Sequence, residues 1–113
     1  MRNFALSITS AIFVVMLIVT IQASNRMSIP EAWPGYAANP WAVATLYDAY
    51  SGFIIYWMWV AYRERSAGAR IVWFILIMAL GNIATSAYLF WQLKRLAPGE
   101  PLENALIRRA PTP

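Results

Sequence analysis

The sequence predicts an all-α membrane protein of three transmembrane helices, the second and third forming a tight antiparallel hairpin. Three observations lead there. Apolar residues make up 60% of the 113 and charged residues only 12%, more apolar surface than a soluble core of that length can bury. That surface is gathered into three runs, at about 4–23, 41–62 and 71–93, each long enough for a hydrocarbon core of ~30 Å at about 1.5 Å per residue. Aromatic rings bracket the later two: Trp41 stands opposite Trp59 and Tyr62, and Trp73 opposite Trp91, the placement that membrane interfaces favour.

The first run carries no charge and follows only Arg2 and Asn3. A cleaved signal peptide is its competing reading, with Ala23-Ser24 as the processing site, and we expect the segment to be retained. Ser24 to Pro40 contains Pro30, Pro34, Gly35 and Pro40, which argues for a surface loop resting on headgroups through Trp33 and Tyr36 rather than a continuing helix. The second run holds one charge, Asp48. Arg63 to Arg70 is a short basic link with Gly68 for its turn, and so brief a link makes its two helices antiparallel neighbours. The third run is uncharged and ends before Lys94-Arg95. Residues 1–96 thus form the membrane domain. Residues 97–113 form a Pro-rich tail, where Leu102, Ala105 and Leu106 would share one face of a short amphipathic helix, with Glu103 near its positive end and Arg108 and Arg109 near its negative end.

Asp48 needs an explanation, since an ionisable group at mid-bilayer costs about 2.5–3.5 kcal/mol. In a tight hairpin, residues at equal depth have numbers summing to about 133, the sum for Tyr62 and Ile71. On that register Gly52 meets Gly81, so that the backbones approach closely. Asp48 then meets Thr85, Thr45 meets Tyr88, and Asn82 and Ser86 lie beside the seam. Two readings follow: a structural anchor bonded to Thr85, Tyr88 or another subunit, and a proton or cation site, which with only three helices requires an oligomer. The aromatics of the second run, Tyr47, Tyr50, Phe53, Tyr56, Trp57 and Trp59, read first as lipid contacts. Their sharper reading is an unligated surface for a carotenoid, a quinone or a lipid. Arg63, Arg65 and Arg70 read as a solvated loop, or as a headgroup or partner contact.

Cys and His are both absent, which removes thiolate nucleophiles, imidazole bases and His-ligated pigments or zinc. No nucleophile–base pair or metal cluster is visible, so we expect no catalytic residue, no metal, no required cofactor and no enzyme. The net charge is +4, but the cations flank apolar runs instead of forming one stripe, which points to membrane boundaries and away from nucleic acid.

At Asn39-Pro40-Trp41, Asp48, Tyr50, Gly52-Phe53, Trp59, Arg63-Glu64, Trp73, Gly81-Asn82 and Tyr88 the chain resembles a family of small bacterial inner-membrane proteins of unknown function. The resemblance covers about residues 39–93. It implies a helical protein of the bacterial inner membrane and supplies no catalytic residue.

The expected function is that of a small accessory subunit packed against a larger integral membrane complex, with photosynthetic and respiratory complexes as candidates, and against lipids. The alternative is a homo-oligomeric proton- or cation-coupled carrier centred on Asp48. With three spans and a cytoplasmic N-terminus, Arg2, Arg63, Arg65 and Arg70 face inward, while Arg26, Lys94, Arg95, Arg108 and Arg109 face outward. The counts nearly balance, and the density of the Arg63–Arg70 link favours the cytoplasmic N-terminus.

Overall fold

The computed structural model describes residues 1–108, which form five α-helices and no strand. Helix α1 (Arg2–Arg26) is a single uninterrupted rod, about 37 Å long at the α-helical rise. Its hydroxyls return to its own backbone: Ser7 donates to the Asn3 carbonyl at 2.9 Å, Thr9 to Ala5 at 2.9 Å and Ser10 to Leu6 at 2.7 Å. Polar side chains in an apolar helix are thereby satisfied locally.

The segment expected to be a proline-broken loop is instead helix α2 (Ile29–Ala38). Its N-terminus is capped by Ser28, whose Oγ accepts from the Glu31 amide at 3.3 Å and donates to the Glu31 carboxylate at 3.0 Å. Pro30 sits in the first turn, where no amide donor is needed. Pro34 therefore removes just one internal bond from a short helix. The Trp33 and Tyr36 rings stack at 6.2 Å.

Asn39 separates α2 from α3 (Pro40–Arg63). Its Oδ1 accepts from the amides of Trp41 at 3.0 Å and Ala42 at 3.3 Å, and Pro40 opens the helix with its φ already fixed. The Asn39-Pro40-Trp41 motif is thus a helix start. At the far end the turn consists of Glu64, Arg65 and Ser66. Ser66 caps α4 (Ala67–Leu80) by accepting from Ala69 at 2.9 Å, so Gly68 lies inside the helix and not in the turn. The expected antiparallel pairing of the second run with the start of the third is present: Trp57 Nε1 donates to the Arg70 carbonyl at 2.9 Å and the Tyr50 hydroxyl to that of Met78 at 2.9 Å.

The third apolar run is not one helix. It breaks at Gly81, whose φ of 59° and ψ of −126° lie where only glycine is comfortable, and continues as α5 (Asn82–Lys94). Gly81 closes α4 by donating to Ile77 at 2.8 Å and opens α5 by accepting from Ala84 at 3.0 Å and Thr85 at 3.1 Å. The bend is sharp. In a continuous helix Trp73 and Tyr88 would stand about 22 Å apart, yet their rings meet edge to face at 4.8 Å. Helix α5 therefore folds back toward the Arg63 end of α3 and packs along the first half of α1. One cluster joins Val60, Ile77, Ala84 and Tyr88. A second joins Leu93, Leu96 and Ala105 to Ala5 and Leu6. Ala105 belongs to a 3₁₀ turn, Leu102–Ala105, which places the start of the tail on the body of the molecule. Arg109, the last residue of the expected tail helix, lies outside the described residues.

Candidate functional site

The fold-back reorganises every predicted pairing. Gly81 meets the ring of Phe53 instead of Gly52: a Cβ on Gly81 would lie 2.9 Å from Phe53 Cζ, whereas one on Gly52 would meet nothing within 4 Å. Thr85 comes level with Tyr56, whose hydroxyl donates to the Thr85 carbonyl at 2.8 Å, and Thr85 itself bonds Asn82 Oδ1 at 3.2 Å. Tyr88 is buried among Tyr56, Trp59 and Trp73, and its hydroxyl donates to Glu64 Oε1 at 3.0 Å. Ser86 is buried and donates to the Asn82 carbonyl at 2.6 Å. The seam expected from the hairpin register is accordingly not assembled. Its third-run members are engaged within the α3–α5 body, and its second-run members stand apart from them.

Those second-run members share one face. Thr45, Asp48, Gly52 and Ile55 follow three-four spacing along α3, and all are exposed. Thr45 Oγ1 donates to the Trp41 carbonyl at 2.8 Å. Tyr47, one residue from Asp48, is 73% exposed, and Ile55 is 67% exposed. A carboxylate, a hydroxyl and a residue without a side chain thus lie on an apolar helix surface that the rest of the described chain leaves uncovered.

Other rings of α3 do the internal work, where lipid contact was expected of them. Tyr50, Tyr56 and Trp57 each donate to a backbone carbonyl of α4 or α5, and Trp59 Nε1 reaches the Leu106 carbonyl at 2.7 Å. At about 3.6 residues per turn Tyr50 and Trp57 lie on the side of α3 away from Asp48, and Tyr56 lies about a quarter-turn round. Trp59 lies on the Asp48 side, about three turns further along, where it meets the tail.

The cations collect at one end. Arg63 is buried, with its guanidinium donating to the Ala105 carbonyl and lying 5.8 Å from the Trp59 ring centre. Arg70 Nε donates to the Ala61 carbonyl at 2.8 Å and to that of Glu64 at 3.0 Å. Arg108 bonds the Tyr62 carbonyl and covers that ring at 5.1 Å. Leu93 and Leu96, which flank Lys94 and Arg95, pack with Ala5 and Leu6 just beyond Arg2. Arg2, Arg63, Arg65, Arg70, Lys94, Arg95 and Arg108 therefore share an end, and Arg26 lies at the other. Between α1 and α5, near the basic end, runs a groove of about 900 Å³ lined by Ser10, Phe13, Val14, Ala87, Phe90, Trp91, Lys94 and Arg95.

A family model described as a protein of unknown function, DUF1475, matches residues 3–110. The chain belongs to that family. The DUF1475 match takes in all five helices and the 3₁₀ turn, so the likeness seen over residues 39–93 extends to nearly the whole sequence. No curated protein and no solved structure matches the chain. Among the described residues one helix, α1, is long and apolar enough to cross a membrane, and α4 is apolar but shorter, at 14 residues.

Proposed function

We propose that this DUF1475 chain is a small, non-catalytic membrane subunit that docks on a transmembrane helix of a larger protein through the Thr45–Asp48–Gly52–Ile55 face of α3. The observation that carries the reading is the exposure of Asp48 on that face with no hydrogen bond or ion pair among the described residues. A carboxylate turned toward lipid is costly, and a partner helix that offers a donor or a cation removes the cost. Gly52, with open space above it, lets such a helix approach closely.

In this reading α1 and α3 cross the bilayer. Helices α4 and α5 do not, since at 14 and 13 residues they are about 20 Å long against a core of ~30 Å. They enter and leave on one side as a re-entrant hairpin, its bend shielded by Phe53. The start of α1 and the 3₁₀ turn at Leu102–Ala105 then face one compartment, and the gathering of cations there among the described residues favours the cytoplasm of a bacterial inner membrane. The packing of Ala5, Leu6 and Thr9 into the body supports retention of α1 over its removal as a signal peptide.

Purification in mild detergent tests the assignment. The native chain should bring down a stoichiometric larger membrane protein, and Asp48→Ala or Gly52→Leu should release it while the chain stays helical and monodisperse. Recovery of the native chain always alone would refute docking. Ion-dependent flux in liposomes that Asp48→Asn abolishes would establish the carrier in its place.

A further inference from the structure

We propose that the groove between α1 and α5 is a binding site for one phospholipid with an anionic headgroup. The proposal rests on the membrane reading above but not on the docking face. The groove's volume of about 900 Å³ falls within the ~300–1,000 Å³ typical of ligand pockets. Its walls divide by chemistry. Phe13, Val14, Phe90 and Trp91 supply an apolar length, and Lys94 and Arg95 supply the charge. That division matches an amphiphile with acyl chains and a negatively charged head, and it does not match a neutral isoprenoid, which would leave both cations unanswered.

Two further observations agree. Lys94 and Arg95 are exposed and form no hydrogen bond through their side chains and no ion pair among the described residues, unlike Arg63, Arg70 and Arg108, whose guanidinium groups are taken up by backbone carbonyls. Helix α1 begins beside them with no acidic residue in its first turn and no side-chain cap, and Arg2 Nε is buried without a hydrogen-bond partner. The positive end of α1 is therefore uncompensated, which adds to the attraction for an anion at this end of the groove.

Native mass spectrometry of the detergent-purified full chain titrated with phosphatidylglycerol or phosphatidylcholine reads the site. Phosphatidylglycerol should bind one to one in preference to phosphatidylcholine. Lys94→Gln with Arg95→Gln should weaken its binding about thirtyfold, roughly fivefold per charge. Removal of the distant Arg26 charge, as Arg26→Gln, should change nothing. Should the double variant fail to fold, brominated phosphatidylglycerol in nanodiscs gives a second reading on native protein: it should quench Trp91, identified by comparison with Trp91→Phe, more strongly than brominated phosphatidylcholine does. Equal binding of the two lipids, anionic preference that survives the double variant, or displacement of phospholipid by a neutral quinone would overturn the proposal. None of these results bears on whether a protein partner co-purifies through Asp48, so this proposal and the docking reading fail separately.

Discussion

Arg63 is the last residue of α3, and its buried guanidinium donates to the carbonyl of Ala105. A hydrogen bond from a charged donor contributes about 1.5–3 kcal/mol, so Arg63→Met should loosen the 3₁₀ turn and leave the helices in place. Hydrogen exchange at residues 102–106 should accelerate, with little change in α3. Tyr56→Phe removes a hydroxyl that donates to Thr85 across two helices and should lower stability by about 1 kcal/mol, read as a reduced thermal midpoint in detergent. The sequence identified Arg63 as basic and Tyr56 as aromatic. It did not show that both donate to backbone carbonyls, because a carbonyl's position depends on the bend at Gly81 and not on any residue type nearby.

Among the elements, α1 and α3 were readable because each is an uninterrupted apolar run, with Trp41 at one end of the second and Trp59 and Tyr62 at the other. The caps at Asn39 and Ser66 were not read from the sequence, which put Pro40 in a loop and the turn at Gly68. Helix α2 was missed because its prolines suggested a break, whereas one lies in the first turn and the other removes a single bond. The division of the third run was harder to see. Its side chains are apolar on both sides of Gly81, and an isolated glycine is tolerated in a helix, so the composition of 71–93 fits one span or a folded pair equally well. The Gly81-Asn82 pair was the only local cue. Two glycines expected to behave alike should therefore respond oppositely to alanine. Gly81→Ala forces a side chain into a left-handed conformation and against Phe53, and should cost about 1–3 kcal/mol. Gly52→Ala, in open space within a helix, should be neutral or stabilising by up to about 1 kcal/mol in the isolated chain. Unfolding of each variant in SDS titrations gives the comparison. Asn39→Ala removes the cap of α3 and should cost about 1 kcal/mol in the same assay.

At the scale of the molecule, the fold-back changes which cations share an end. Three straight spans would divide the cations almost evenly between two sides. With α5 returned toward the Arg63 end, Lys94, Arg95 and Arg108 join Arg2, Arg63, Arg65 and Arg70, and among the described residues Arg26 is left alone. From the sequence, orientation leans only on the density of the Arg63–Arg70 link for that reason: the positive-inside rule acts on sides, and a single helix over 71–93 would set Lys94, Arg95 and Arg108 apart from Arg63. The chain has no cysteine, so single cysteines at Ser28, Ser66 and Ala97 can be labelled with a membrane-impermeant maleimide in sealed vesicles of known orientation. Ser66 and Ala97 should react from one face and Ser28 from the other. Reaction of Ala97 from the face opposite Ser66 would mean that residues 67–94 cross the bilayer as a continuous helix, and the re-entrant hairpin would be wrong.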